Sequence, residues 1–238
     1  MVLLGTIVNG VAIIVGTFLG KVMHRIPEKI KTLVLQSIGL AVIILGVQMG
    51  LKTEQFLIVI LSLLFGSILG ELMDLDGKLN RLGLWIERRM GSTEEGGVAK
   101  GFVTATLIFA IGAMAIIGAL DSGLRGDHQV LYTKSLLDGF TSIVLATTLG
   151  VGVLFSAFPV MIYQGTIALF ATQIEKWIPD QIMDAFIIEM TSAGGIMILA
   201  IGLNMLEITR IRVANMLPAI LVVALIIAGQ YFYQHIFI

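Results

Sequence analysis

The sequence predicts an all-α integral membrane protein of about eight transmembrane helices, built as an inverted-topology repeat around a central pair. Three observations predict it. The 238 residues are 57% hydrophobic and 13% charged, with a mean hydropathy of +1.00, whereas soluble domains carry about 25% charged residues. Apolar stretches of about 20 residues, enough to cross a bilayer, recur along the chain. The peptide Ile26-Pro27-Glu28-Lys29-Ile30 returns as Ile178-Pro179-Asp180-Gln181-Ile182. The echo continues through Ser37-Ile38-Gly39 against Ser192-Ala193-Gly194, and Gly46-Val47-Gln48-Met49 against Gly202-Leu203-Asn204-Met205. Gapped self-similarity of this kind is what an old internal duplication leaves.

In order, the expected spans are 1–20, 32–51, 55–73, 101–120, 135–155, 159–177, 185–206 and 214–235. With the N-terminus outside, the loops after spans 1, 3, 5 and 7 carry 4, 5, 0 and 2 Lys or Arg, and those after spans 2, 4 and 6 carry 1, 2 and 1, Lys176 at the end of span 6 being counted with the loop that follows it. The positive-inside rule therefore places both termini outside the cytoplasm. Lys21, Arg25, Lys29 and Lys31 follow the first span and no basic residue precedes it, as in a retained span and unlike a cleaved signal peptide. Between spans 3 and 4, Leu79, Leu82, Trp85, Ile86 and Met90 recur at helical spacing, with Lys78, Arg81, Arg88 and Arg89 at other positions. Gly77 to Met90 thus reads as an amphipathic helix on the inner membrane surface, the alternative being an extension of span 3. A flexible connector, Gly91 to Gly97, follows it.

The single membrane domain divides into a first repeat (1–73), the inner-surface helix and connector (74–100), central helices (101–155) and a second repeat (159–238). Five crossings separate the copies, so they enter the membrane from opposite sides. The echoed loops agree: Lys21 to Lys31 is basic, whereas Glu175 to Asp184 holds three acids and one lysine. Inverted repeats commonly place a site where the halves meet, and most such proteins are transporters or channels, a step taken by analogy.

Ionisable groups within a bilayer point to function. Lys134 and Asp138 lie one turn apart near the start of span 5, where they can neutralise each other. Asp121, Asp138 and Glu189 fall at similar depth on the outer side and could line one vestibule for a cation or proton. Asn9 and Gln164 occupy equivalent positions of the two copies, as do Gln48 and Asn204, and Ser192 stands beside Glu189. The structural reading of each is an interhelical hydrogen bond for the amides and a snorkelling end-of-span group for Lys134. Pro159 and Pro218 could each break or kink a helix. Gly16-xxx-Gly20, Gly46-xxx-Gly50 and Gly66-xxx-Gly70 predict close packing of the first three spans with one another or with a second protomer, which points to a homodimer. The absence of cysteine removes disulfides and thiolate chemistry. His24, His128 and His235 are scattered, and Asp121 and Asp138 lack the Gly-x-Gly-Asp setting of an intramembrane protease, so no catalytic residue, metal ligand set or cofactor is expected. A net charge of −1 gives no reason to expect nucleic acid as a partner.

Gly112-Ala113-Met114-Ala115-Ile116-Ile117-Gly118, Lys134-Ser135-Leu136-Leu137-Asp138-Gly139, Gln164-Gly165, Ser192-Ala193-Gly194-Gly195 and Gly202-Leu203-Asn204 together resemble the YqgA/YdfK-type bacterial multi-pass membrane family, a domain of unknown function. The resemblance covers essentially the whole chain. It implies a bacterial inner membrane protein and supplies no substrate, mechanism or site. The function expected is therefore a transporter or channel-like protein for a small solute or ion, with cation or proton coupling, embedded in the lipid bilayer. The alternative is a membrane scaffold or sensor subunit.

Overall fold

A computed structural model describes residues 1–22, 28–90, 97–111 and 113–237. Arg25, the Ile26-Pro27 start of the first echo, most of the Gly91 connector and Gly112 lie outside the described residues. Twelve α-helices and one 3₁₀ turn follow one another: α1 (Leu4–Val22), α2 (Glu28–Gly50), α3 (Phe56–Met73), α4 (Leu75–Met90), α5 (Gly97–Ala110), α6 (Ala113–Leu124), α7 (Gln129–Leu149), α8 (Gly152–Phe155), α9 (Ala157–Leu169), α10 (Ala171–Trp177), α11 (Asp180–Met205), the 3₁₀ turn (Val213–Met216) and α12 (Ala219–Phe237).

Among the described residues, five stretches are long and apolar enough to cross a membrane: Leu4–Val22, Phe56–Met73, Gly152–Leu169, Gln181–Met205 and Val213–Tyr233. A sixth forms if α5 and α6, bent by 62° where they meet, count as one span. The two other expected spans are less apolar. The apolar part of α2 is the shorter Gln36–Gly50, and α7 has the length but carries Lys134 and Asp138. The sixth expected span, 159–177, is displaced: the apolar run is Gly152–Leu169, and Phe170 separates it from α10. Both prolines stand at interruptions of an apolar run: Pro159 lies in the first turn of α9, just after the break at Ser156 that separates it from α8, and Pro218 lies between the 3₁₀ turn and α12, helix-start positions where a missing N–H costs nothing.

Between α3 and α4 the chain turns at Asp74, a left-handed residue (φ 48°) whose N–H donates to the carbonyls of Glu71 and Gly70. The amphipathic stretch is thus a separate helix. Its Leu82 and Trp85 remain exposed, while buried Gly83 lets α4 approach Ala99 of α5.

Helix directions follow from which residues meet. Gly5 faces Leu131, Gly16 faces Gly139 and Gly20 faces Ile143, so α1 runs alongside α7 in the same direction. Against α9 it runs the opposite way, with Gly10 on Met161 and Leu3 beside Gly165. Helix α2 is antiparallel to α11: Gly39 meets Leu206, Gly46 meets Leu199 and Gly50 meets Ile196. Helix α3 is antiparallel to α12, with Gln55 bonded to Gln230 and Gly66 against Ala219. The small-residue faces of the first three spans are therefore occupied, and not as expected. They contact α7, α11 and the start of α12 of the same chain, not one another, which removes them as a basis for a homodimer.

The glycines are needed there. A Cβ at Gly16 would collide with the carbonyl of Gly139, and one at Gly70 with that of Asn215. The principal core, around Ile13, Phe109, Leu145, Val160 and Met197, lies where these helices cross.

Candidate functional site

Helix α7 starts at Gln129, six residues ahead of the expected span, so Lys134 and Asp138 lie within the helix and not at its start. Asp138 is nine residues into the helix, about 13 Å along its axis at 1.5 Å per residue. Both side chains are only 9% exposed. The i,i+4 spacing brings Lys134 Nζ to 2.9 Å from Asp138 Oδ1 and 2.7 Å from Oδ2. Lys134 does not snorkel; it is buried against its own counter-ion.

Two further helices complete the cluster. Asn9 of α1, fully buried, donates from Nδ2 to Asp138 Oδ2 at 3.1 Å and to Gln164 Oε1 of α9 at 3.2 Å. The approach depends on glycine at Gly5 and Gly10, which seat α1 on Leu131 and Met161. Sequence reasoning singled out all four of these residues, and the fold brings them together across 155 positions of chain.

Several buried polar atoms on the same three helices have no partner among the described residues: Asn9 Oδ1, Gln164 Nε2, Thr6 Oγ1 on α1 and Ser142 Oγ on α7. A buried polar group left unsatisfied costs about 1–3 kcal/mol. Thr6 and Ser142 were missed by sequence reasoning. Their signal was helical spacing, Thr6 three residues before Asn9 and Ser142 four after Asp138, which puts each on the same face as its neighbour. Chemically, the cluster offers a carboxylate that can exchange its bound ammonium for a proton or another cation. It also offers amide and hydroxyl groups that can both donate and accept.

The other predicted residues lie elsewhere. Glu189, 2% exposed, accepts from the backbone N–H of Glu54 (3.0 Å) and Gln55 (2.9 Å) and from the Thr53 hydroxyl, tying down the loop that leads into α3. One turn further along, Ser192 donates to the Gly50 carbonyl at 2.6 Å, at the end of α2. Asn204, near the far end of α11, accepts from Thr209 and the Ile211 N–H and donates to the Ile211 carbonyl, closing the loop after that helix. Asp121 pairs with Arg125 at 3.6 Å on the protein surface. The three carboxylates therefore have three separate sets of partners and do not gather in one vestibule.

A second polar region, unforeseen in the sequence, lies at the α3–α4 corner. Glu71 takes Arg212 at 2.7 Å and the Asn215 amide at 2.7 Å, and Asn215 Oδ1 accepts from the Asp76 N–H at 2.7 Å. Burial pushes the Asp76 carboxyl above the usual range, against the opposing pull of Arg212. Beside it is a cavity of about 240 Å³ lined by Asp76, Asn80, Lys100, Thr104 and Asn204 among others. Partners 144 residues apart leave no local spacing to find.

Residues 4–228 match a protein-family model described as "Protein of unknown function (DUF554)". The chain is 34% identical over 228 residues to a Bacillus subtilis protein named "Uncharacterized membrane protein YdfK", covering 94% of this chain and 95% of that one. It is 30% identical over 224 residues to the Escherichia coli "Uncharacterized protein YqgA", covering 92% and 93%. No solved structure matches the chain significantly.

Proposed function

Because this helical membrane protein belongs to the DUF554 family, for which no activity is described, its function must come from its own chemistry, and we infer that it is a transporter or channel-like protein for a small solute or ion. The observation carrying this reading is the buried Lys134–Asp138 pair bonded through Asn9 to Gln164, with unpartnered polar atoms around it. Ion pairs are costly to bury in a membrane and mark ion or substrate pathways there.

The proposed architecture is an eight-span inverted repeat, and three antiparallel pairings support it. Helices α1 and α9, α2 and α11, and α3 and α12 are the pairs that the internal echo matches, and each lies side by side in opposite directions. The contacts are also reciprocal: Gly39 meets Gly202 where Gly46 meets Gly195. A twofold axis in the membrane plane would produce such an exchange. On this reading Asn9 and Gln164, equivalent residues of the two copies, meet at the axis, and Asp138 is charged or neutralised as the copies rock. A proton or cation arriving at Asp138 would release Lys134, and the freed ammonium would be the internal competitor that restores the pair.

The charge distribution supports an orientation with both termini outside a bacterial inner membrane. The scaffold or sensor alternative draws on Glu189, Ser192 and Asn204, all of which close loops.

Purified protein in liposomes, assayed for proton-coupled flux of cations and small polar solutes, tests the function. Flux abolished by Asp138→Asn in a folded protein supports it, and flux unchanged by Asp138→Asn overturns the assignment of this site. Orientation is read by single cysteines at the exposed Lys52 and Lys78: an impermeant reagent applied to intact cells should label the first and not the second.

A further inference from the structure

Helix α4 forms one wall of a groove that the transport reading does not use. Leu82, Trp85, Ile86 and Arg89 of α4 face Phe102 of α5, Phe155 of α8 and Phe158, Pro159 and Ile162 of α9 across a cavity of about 460 Å³. That volume falls in the range of small-molecule sites, about 300–1,000 Å³. Its inner surface is almost wholly hydrocarbon and aromatic ring, open at the side where Leu82, Phe158 and Ile162 are exposed. The one polar group on the rim is the Arg89 guanidinium, held 5.6 Å above the Trp85 ring. Stacking on an aromatic face orients a guanidinium while leaving the N–H groups at its edge free to donate. Arg88 stands beside it, exposed, and among the described residues neither arginine pairs with a carboxylate. The neighbouring acid, Glu87, turns away to accept from the N–H of Ala99 at the start of α5.

An apolar slot with one arginine on its rim, stacked on a tryptophan, and a second exposed arginine just before it on α4 matches one kind of molecule. The slot takes an acyl chain. The arginines take a phosphodiester, whose paired oxygens fit the planar guanidinium fork. Tryptophan is the residue expected at headgroup depth. We propose that the groove between α4, α5 and α8–α9 is a binding site for one anionic phospholipid, its phosphate on Arg88 and Arg89 and its acyl chain along Phe102, Phe155 and Phe158. The lipid would fasten the amphipathic helix to the span beside it.

The test is native mass spectrometry of the full-length protein in detergent, titrated with phosphatidylglycerol and, separately, with phosphatidylcholine of the same chains. One phosphatidylglycerol should be retained per chain in preference to phosphatidylcholine. Each arginine near an anionic lipid surface contributes roughly a fivefold change in affinity, so Arg88→Gln/Arg89→Gln should lower the affinity for phosphatidylglycerol by about 25-fold and leave phosphatidylcholine unchanged. Both arginines are exposed, so this variant keeps the fold, and its melting temperature in phosphatidylcholine should equal that of the wild type. Ile162→Trp, which fills the slot from its exposed edge, should weaken both lipids. Equal binding of the two lipids, a selectivity that survives the double arginine variant, or a second copy of the chain occupying the groove in lipid-free dimers would each overturn the proposal. So would full displacement of the lipid by millimolar inorganic phosphate, which would make the site an anion site and not a lipid site.

Discussion

Replacing Lys134 by methionine would leave the Asp138 carboxylate buried beside an amide, without the cation that neutralises it. The pair is 9% exposed on each side and bonded through both carboxylate oxygens, so solvent screening does not soften the loss. Breaking a buried pair from one side costs about 3–5 kcal/mol, whereas exchanging both members for neutral groups is often nearly free. For a chain of this length 1 kcal/mol corresponds to about 2–4 °C in melting temperature, so Lys134→Met and Asp138→Asn should each lower it by about 6–20 °C. The double variant should recover most of that loss, since no unpaired charge remains. Thermal melts of the four proteins in one detergent form a complete cycle. Additive losses would refute the reasoning, because they would mean that the two charges stabilise the fold independently and that their geometry is incidental.

Three more outcomes follow from other contacts. Gly70→Val should cost about 1–3 kcal/mol by driving α3 away from the Asn215 carbonyl, while Gly229→Ala, with nothing nearby, should melt like the wild type. Glu189→Gln should lose roughly 1–3 kcal/mol of stability as the carboxylate that gathers two N–H groups and a hydroxyl becomes an amide, yet leave any flux per folded molecule intact, which liposome assays would show. Asp76, raised above its ordinary 3.8 by burial, binds its proton more tightly in the folded chain than in the unfolded one. Its stabilising contribution is therefore fully present below that ordinary value and is lost as pH rises through the folded one. Asp76→Asn should remove this slope from a plot of melting temperature against pH and melt higher than the wild type above the window.

How much of this was legible beforehand depended on distance along the chain. Lys134 with Asp138, and the helix over 75–90, could be read because helical periodicity is local. Asn9 and Gln164 could be matched because the expected repeat aligns one amide-glycine pair with another, although nothing in either peptide says that the two amides touch. The burial of the ion pair was not legible because Gln129 to Lys134 is too polar to look like helix interior, and its cover comes from α1 and from other distant elements. Glu189 was legible as an intramembrane acid but not as the cap of a loop 135 residues away. The glycine faces were correctly read as contact surfaces, and their partners were wrong, since GxxxG specifies closeness and not identity.

The antiparallel pairings have a consequence for synthesis. Helices α1, α2 and α3 find their extensive contacts with α7, α9, α11 and α12, not with one another. Asn9 waits for a residue 155 positions later, which at about 5–20 residues per second is roughly 8–30 s of translation. Through much of that interval the first helices lack these partners, each with a bare glycine stripe, and the α1 amide has none of its own until Asp138, 129 positions on, is made. The nascent chain thus exposes a transient adhesive surface, open to insertion factors or to pairing with the wrong ribosome's product, and it disappears only when the last helix arrives.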